Sequence, residues 1–450
     1  MKDFTLAEIA KACNGEYVGD ESLKNTKITS VERDSRQVKN GSLFLAIKGE
    51  RVDGHDFIEK CFAQGAVCAL CEKAPKNATK PCIVVPSTLD AVKKIGRAYR
   101  EKFDIPVIGI SGSVGKTSTK EMLYAVLSQK FKTHKTQGNL NNELGVPLTL
   151  LSMPEDTEAA VIEMGISDFG EMTRLSEMVQ PTICVLTIIG ECHLENLGNR
   201  DGVLKAKTEM FKNARENADF ILNGDDDKLS TVKTVNGKKP VFFGLDTKND
   251  FYAKNIKNSG DGKVLATLCF DNNNIDVEIP AIGTYMVTNA LAAAAAGKLL
   301  GLTDEEIANG VASYKTVGSR ANVINTGKIK IIDDCYNANP TSVRASLDTL
   351  SNLDGRKVAI LGDMKELGSE ELKLHFDTGV YAKSKDIGKV ITVGELAKEL
   401  AKGADGKAFD TIEDAKPEIL KTIKSGDVVL VKASHSMQFE NIVEFLKQNF

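Results

Sequence analysis

The sequence predicts an α/β protein of three domains, with a mostly parallel β-sheet in the central one. The chain has 450 residues. At roughly 100–200 residues per domain, that length suits two to four domains. Continuous apolar runs alternate with helical stretches, which is typical of parallel strands covered by helices on both faces. The pattern changes near residues 104 and 316, so we expect domains at residues 1–103, 104–315 and 316–450.

The expected elements follow from these patterns in chain order. In the first domain, strands are predicted at 42–49 and 80–86 and a helix at 89–103. In the central domain, strands are predicted at 106–111, 159–165, 182–189 and 218–223, helices at 116–129 and 290–300, and antiparallel hairpins within 242–279. In the third domain, strands at 330–334, 357–363, 389–394 and 427–434 predict a second open α/β sheet.

Composition excludes several classes of protein. The formal net charge is −4, from 58 Lys and Arg against 62 Asp and Glu, which argues against a large basic surface for nucleic acid. No apolar run approaches the roughly 18 residues of a membrane span, and the N-terminal segment has no signal-peptide core. The nine cysteines are odd in number, and buried free thiols explain them best. Cys68 and Cys71 lack a second matching pair, so we do not expect zinc, and we expect a cytoplasmic protein.

A glycine-rich segment between the strand 106–111 and the helix 116–129 predicts a phosphate-binding loop. Its residues are Gly112, Ser113, Gly115, Lys116, Thr117 and Ser118. Glycines let backbone N–H groups point at phosphate oxygens, and the helix N-terminus adds partial positive charge. Lys116 can reach the β- and γ-phosphates, and the Thr117 hydroxyl can bind Mg²⁺. A chance Gly-Lys-Thr turn would lack the strand and helix on either side, so we expect nucleotide binding.

Further polar residues follow strand-like runs. Glu163 ends the run 159–165, where a carboxylate beside the phosphate loop can hold Mg²⁺. A loop rich in amides, QGNLNNELGVP, spans 137–147, and the strings DDCYNANP and GDMKELG span 333–340 and 362–368. Turn chemistry alone explains part of them, since Asn339 is a good N-cap and Pro340 suits a first helical turn.

Together with the G-x-x-G-K-T-[ST] loop, these strings resemble the Mur ligase family over about residues 30 to 440. The amide loop, YNANP and GDMKELG are similar to the branch that adds D-alanyl-D-alanine to UDP-N-acetylmuramoyl-tripeptide. The resemblance implies an N-terminal UDP-substrate-binding domain, a central P-loop ATPase domain and a C-terminal Rossmann-like domain. It also implies an ATP-dependent, ADP-forming amide ligase, acting through an acyl phosphate as a monomer. The product would be the pentapeptide precursor of peptidoglycan, needed for cell-wall biogenesis, cell shape and cell division.

The resemblance implies roles for residues around ATP and Mg²⁺. Lys116, Lys207, His193 and Arg320 would be catalytic, and Thr117, Glu163, His193 and Lys207 would serve the metal sites, with Lys207 carrying a carbamate. Asn289 would contact the base, Arg320 the phosphates, and Asp334 and Asn337 the nucleotide. The chain departs from the family at Tyr285 and Met286, where His-Asn is usual, and at Ala433 and His435, where Gly and Arg are usual.

By the same resemblance, other residues would contact the two substrates that are joined. Ser35 and Arg36, in an Asp-Ser-Arg string, would face the nucleotide of the UDP-linked substrate. Asn139 and Asn142 would help to position that substrate, and Asn339 would lie near the incoming amine.

Two alternatives stay open at this point. One is another amino-acid ligase of the same superfamily, adding the third residue of the peptide or acting on folate or cyanophycin. The other is a nucleotide-binding regulatory or scaffold protein that performs no ligation. Both lysine and diaminopimelate remain compatible as the third residue of the tripeptide.

Overall fold

The computed structural model describes residues 1–259, 262–271 and 273–450. They form three main β-sheets and one small antiparallel sheet. Helices cover both faces of the larger sheets, and buried apolar residues lie between the layers.

The N-terminal sheet has the strand order β1-β5-β4-β3-β2, in which β1 is antiparallel to β5 and the other neighbours are parallel. Its strands are β1 (Glu16–Val18), β2 (Ser30–Glu32), β3 (Ser42–Leu45), β4 (Cys68–Cys71) and β5 (Cys82–Val84). Its helices are α1 (Leu6–Cys13), α2 (Ile58–Ala63) and α3 (Thr88–Arg100). The Arg100 guanidinium is fully buried and donates to the Val179 carbonyl at 2.9 Å, so α3 packs on the central domain as well.

The central sheet is parallel throughout, with the order β11-β10-β9-β6-β8-β7. Its strands are β6 (Val107–Ser111), β7 (Thr133–Lys135), β8 (Ala159–Glu163), β9 (Ile183–Leu186), β10 (Asp219–Asn223) and β11 (Val241–Phe243). Helices α4 (Lys116–Leu127), α5 (Gly145–Leu151), α6 (Glu171–Val179), α7 (Leu194–Leu197) and α8 (Arg200–Thr208) alternate with them. The continuous apolar strands are buried on both faces, which confirms the predicted mostly parallel sheet.

The segment predicted to form hairpins makes a separate antiparallel sheet. It consists of β12 (Tyr252–Ser259), β13 (Lys263–Phe270) and β14 (Asn273–Ile279), followed by α9 (Tyr285–Leu299) and α10 (Asp304–Ala312). Residues 290–296 of α9, which are six alanines and Leu291, are fully buried, since this helix packs with the central sheet and the small sheet in one core.

The third sheet has the order β15-β16-β20-β17-β18-β19, and only β15 runs antiparallel to its neighbour in the described chain. Its strands are β15 (Asn322–Asn325), β16 (Lys330–Asp333), β17 (Arg356–Gly362), β18 (Lys389–Val393), β19 (Lys407–Phe409) and β20 (Asp427–Lys432). Its helices are α11 (Pro340–Ser351), α12 (Glu371–Ser384), α13 (Ala397–Ala404), α14 (Ile412–Thr422) and α15 (Glu440–Asn449). The second open α/β sheet is therefore confirmed.

Candidate functional site

A cavity of about 810 Å³ lies at the carboxyl ends of β6, β8, β9 and β10. Open parallel sheets bind ligands at this edge, because successive strands deliver the loops that follow them to one place. The facing wall comes from the third domain, through the loop after β16, the first turns of α11 and the end of β20. One cavity thus carries side chains from two domains.

The backbone of the phosphate loop needs its glycines. Gly112 has a φ of +151°, and a Cβ there would lie 1.9 Å from the Thr187 hydroxyl oxygen. Gly115, with a φ of +85°, directly precedes α4, and residues 113–118 line the cavity. The Lys116 ammonium donates to the Gly112 carbonyl at 2.8 Å. The loop therefore places backbone amides, a helix N-terminus and an ammonium together, which is the chemistry of a phosphate site.

Ser113 connects this loop to the segment after β9. Its hydroxyl accepts from the Gly190 N–H at 2.9 Å and from the Cys192 thiol at 3.0 Å, and its N–H donates to the Ile188 carbonyl. The side chain of Ser113 thus fixes the loop, while Ser118 at the other end lines the cavity.

Thr117 and Glu163 meet at the floor of the cavity. The Thr117 hydroxyl donates to Glu163 Oε1 at 3.2 Å, and the Asn141 amide donates to the same oxygen at 2.7 Å. Glu163 is 1% exposed, and its Oε2 is buried without a hydrogen-bond partner. A buried carboxylate oxygen with free lone pairs, beside a hydroxyl and a phosphate loop, fits a Mg²⁺ ion. The described residues contain no cluster of three or more His, Cys, Asp or Glu that could hold a metal.

Lys120 is a buried cation beneath this pair. Its side chain is 1% exposed, and the Nζ lies 3.0 Å from Glu121 Oε1 and 3.8 Å from the free Glu163 Oε2. It also donates to the Thr136 carbonyl at 2.8 Å, and Lys135 contacts Glu121 from the other side. Lys120 therefore offsets the charge of two buried carboxylates. Burying these carboxylates without a positive partner would destabilise the fold.

His193 and Lys207 lie on the segment and helix that follow β9. His193 lines the cavity, and its Nδ1 lies 2.5 Å from Oε2 of Glu366, a residue of the third domain. The contact with the His193 side chain lowers the pKa of Glu366. Lys207 is 1% exposed on α8, and burial lowers its pKa to about 8. The Lys207 amine is therefore easier to deprotonate than an exposed lysine.

Arg320 reaches the cavity from the third domain. Its guanidinium lies 3.6 Å from the centre of the Tyr336 ring, within cation–π distance. His435 contacts Tyr336 with a ring separation of 5.7 Å. The Tyr336 ring therefore fixes where the Arg320 charge is held.

Asp334 and Asn337 follow β16 and line the cavity. The Asp334 carboxylate accepts from the Lys432 ammonium at 2.7 Å and from the Ser346 hydroxyl at 2.6 Å. Lys432 also donates to the Asn337 carbonyl at 3.0 Å, and it is 3% exposed. Lys432 thus ties the two predicted nucleotide-binding residues to the end of β20.

Asn289 lies at the start of α9, on the wall nearest the phosphate loop. Its side-chain oxygen accepts from the Thr119 hydroxyl at 2.9 Å, and its amide contacts the Met286 sulfur at 3.4 Å. Tyr285 also lines the cavity, and burial raises the pKa of its hydroxyl. Two of the residues that depart from the family pattern, Tyr285 and Met286, therefore lie in the same helical turns as Asn289, and Met286 contacts it.

The three asparagines predicted to lie near the substrates differ in their position relative to the cavity. Asn339 lines the cavity, and its side-chain oxygen caps α11 by accepting from the Ser342 N–H at 2.8 Å. Asn142 also lines the cavity, and it accepts from the Gly145 N–H at 2.8 Å. Asn139 is exposed and is not among the lining residues.

Ser35 and Arg36 follow β2 in the N-terminal domain, and neither lines this cavity. The Arg36 guanidinium pairs with the Asp34 carboxylate at 2.7 Å and is 83% exposed. This contact lowers the pKa of Asp34 to about 2. The structure thus leaves both residues apart from the nucleotide side of the site.

Several residues of the site were absent from the sequence prediction. They are Asn141, Lys120, Lys432 and Glu366. Asn141 lay within the quoted amide loop, and Lys432 ended an apolar strand, so both carried a signal. Glu366 lay within the quoted GDMKELG string. Lys120 looks like an ordinary helix charge, and only its long-range partners distinguish it.

Family-level comparison matches three parts of the chain. Residues 27–102 match "Mur ligase family, catalytic domain", residues 110–297 match "Mur ligase middle domain", and residues 319–435 match "Mur ligase, glutamate ligase domain". No helix among the residues described above has the length and apolar character needed to cross a membrane.

Full-length relatives match as well. The UDP-N-acetylmuramoyl-tripeptide–D-alanyl-D-alanine ligase of Bacillus subtilis (strain 168) is 36% identical over 98% of each chain. The crystal structure I of MurF from Acinetobacter baumannii is 32% identical, with a TM-score of 0.92 over 100% of this chain and 99% of that one. MurF ligase from Thermotoga maritima in complex with ADP is 30% identical, with a TM-score of 0.83 over 93% and 97% of the two chains.

Proposed function

This chain belongs to the Mur ligase family, and from that premise we propose that it joins D-alanyl-D-alanine to UDP-N-acetylmuramoyl-tripeptide at the cost of ATP. The relatives that cover its whole length carry the name of that ligase. The observation that carries the proposal is that one cavity is lined by Lys116, Glu163 and His193 of the central domain and by Arg320 of the third. A scaffold protein that had lost ligation would have no need to retain this set.

The proposed reaction has two steps. The terminal carboxylate of the tripeptide attacks the γ-phosphorus of ATP, and the bond to ADP breaks, giving an acyl phosphate. The amine of D-alanyl-D-alanine then attacks the acyl carbon, loses a proton and expels phosphate, which leaves an amide. Lys116 and Arg320 would offset the negative charge that gathers in the first step, and their positions in the cavity support this. Asn289, Asp334 and Asn337 would hold the nucleotide, with Asn339 near the amine.

Thr117 and Glu163 would hold Mg²⁺ beside the phosphates, since they offer a hydroxyl and a carboxylate oxygen, Glu163 Oε2, that accepts no hydrogen bond. The ion supplies positive charge that neutralises phosphate oxygens. His193 would serve a second such site. We expect Glu163→Ala to lower the ligation rate about 10²-fold or more, measured by phosphate release. Glu155→Ala, on an exposed residue that ends no strand, is the control and should leave the rate unchanged.

Lys207 is proposed to carry a carbamate. The ammonium would first lose one proton. The neutral amine would then add dissolved CO₂, forming an N–C bond and releasing a second proton, so that a cation becomes an anionic carbamate. Burial and a pKa lowered to about 8 support this, because the neutral amine is the reacting form. A carbonyl signal from ¹³C-bicarbonate in the intact protein, absent from Lys207→Met, tests the modification.

The UDP-linked substrate would extend from this cavity toward the N-terminal domain, with Asn142 at the rim and Asn139, Ser35 and Arg36 farther out. The proposed domains at 1–103, 104–315 and 316–450 are supported by the separate sheets and by the three matched ranges. The monomer implied by the family resemblance is kept as part of the proposal. Nine free cysteines and the use of ATP favour the cytoplasm.

The function is tested by phosphate release from ATP and Mg²⁺ with UDP-N-acetylmuramoyl-tripeptide, with and without D-alanyl-D-alanine, and by the mass of the product. Release that requires both substrates, with a pentapeptide product, is the expected result. If neither the lysine nor the diaminopimelate tripeptide supports release, the substrate belongs to another ligase of the superfamily. Absence of ATP binding would refute the site itself.

A further inference from the structure

The third domain contacts the segment 190–195 at two points. The Thr341 hydroxyl donates to Glu191 Oε2 at 2.6 Å, and Glu366 Oε2 lies 2.5 Å from His193 Nδ1. The packing is close, since a Cβ on Gly190 would lie 2.4 Å from the Thr341 hydroxyl oxygen. The segment that carries His193 is therefore held from the third domain on both sides of Cys192.

Both members of the second contact have unusual backbone conformations. His193 has a φ of +51° and Glu366 a φ of +64°, a left-handed region that residues other than glycine rarely adopt. The Glu195 N–H also points to the Glu366 carbonyl, at 3.5 Å. Strained residues persist where the surroundings hold them, and such positions cluster at functional sites.

A histidine that binds a metal through one ring nitrogen needs a partner on the other, which fixes its tautomer and the direction of the ring. In the described chain, the carboxylate paired with His193 is Glu366. Nδ1 is buried and lies 2.5 Å from Glu366 Oε2, although the contact does not have hydrogen-bond geometry in this conformation. The partner of His193 thus comes from the third domain.

We propose that Glu366 is a positioning residue for His193, so that docking of the third domain orients the ring with Nε2 free toward the cavity. The consequence is that the second metal site is complete only when the domains are docked. This consequence rests on the proposed function. The Glu of GDMKELG thus has a role in coupling domain closure to that site.

The test reads the His193 tautomer directly, in protein without metal. The chain has five histidines, so the ¹⁵N ring signals can be assigned by comparison with His193→Gln. With ADP bound and no Mg²⁺, we expect His193 to carry its proton on Nδ1, and Glu366→Ala to shift it toward Nε2. Glu366→Gln, which keeps an accepting oxygen, should retain most of the Nδ1 form.

The second readout is the Mg²⁺ concentration for half-maximal phosphate release. Loss of an outer partner of a metal-bound histidine typically costs about 10–100-fold in metal affinity or activity, so Glu366→Ala should raise this concentration by that factor. Thr341→Val removes the neighbouring cross-domain hydrogen bond and Glu370→Gln an exposed charge of the same loop, and both should leave it unchanged. Melting temperatures and ADP affinities equal to wild type show that each variant is folded.

The proposal is overturned if Glu366→Ala leaves the tautomer as in wild type, or if Thr341→Val raises the Mg²⁺ requirement as much as Glu366→Ala does. A wild-type protein that releases no phosphate refutes the proposed function instead. The tautomer arm then still decides whether Glu366 orients His193.

Discussion

Replacing Lys120 by methionine should destabilise the central domain and disturb the floor of the cavity. The side chain is 1% exposed, and its ammonium lies 3.0 Å from Glu121 and 3.8 Å from Glu163. Methionine has a similar shape, so the loss of packing is small. The substitution removes the positive charge that compensates two buried carboxylates, and this loss accounts for most of the decrease in the free energy of unfolding.

The magnitude follows from the contacts that remain. Breaking a buried ion pair by removing one partner costs about 3–5 kcal/mol. Lys135 still contacts Glu121, and Asn141 and Thr117 still donate to Glu163, so we expect the lower end of that range. A change of about 3 kcal/mol lowers the melting temperature by about 6–12 °C in a domain of this size.

The assay is thermal unfolding of the ligand-free protein, followed by calorimetry. The matched control is Lys132→Met, since Lys132 is 66% exposed and pairs with Asp156 at 3.0 Å. An exposed pair contributes at most about 1 kcal/mol, so the control should shift the midpoint by no more than about 4 °C. The double variant Lys120→Met/Glu121→Gln should recover part of the loss. A Lys120→Met midpoint equal to that of the control, or no recovery in the double variant, would refute the argument from charge.

Three further outcomes follow from the geometry. Lys207 has a pKa lowered to about 8 from 10.5, so across that window the unfolded chain holds a proton that the folded protein has released. Stability in CO₂-free buffer should therefore rise with pH by about 3 kcal/mol more than in Lys207→Met, as measured by urea unfolding. Gly112→Ala should weaken ATP binding about tenfold or more, as measured by calorimetry, because the added Cβ would lie 1.9 Å from the Thr187 hydroxyl oxygen and the φ of +151° strains a residue with a side chain. In a Thr187→Ala background, Gly112→Ala should cost only part of that affinity, since the clash is removed and the backbone strain remains. Tyr336→Leu should lower kcat/KM for ATP about 5–30-fold by removing the ring under Arg320, whereas Tyr336→Phe should not.

The strands and the phosphate loop were predictable because their signals are local. Each strand of the central sheet is a continuous apolar run, and such a run is stable only when helices cover both faces. Gly112 and Gly115 lie between a strand and a helix, and this context restricts the conformation of the loop backbone. The Asn339 cap was read from its sequence neighbour Pro340, and the structure confirms it.

The residues that sequence reasoning missed depend on distant partners. Lys120 looks like a solvated helix lysine, and its burial follows only from the packing of α4 against β7 and β8. Glu366 acquires its contact from a residue more than a hundred positions earlier, in another domain. Arg100 shows the same limit for domain boundaries, since it ends the last helix before the central domain yet bonds to Val179 inside it.

His435 stands where the resemblance to the family leads one to expect an arginine. An arginine at this position offers a two-pronged contact to a carboxylate, which an imidazole cannot reproduce. In this chain the imidazole instead packs against Tyr336, whose ring lies beneath the Arg320 guanidinium. The Tyr336 ring therefore contacts one guanidinium and one imidazole, and Arg320 is the guanidinium held against it.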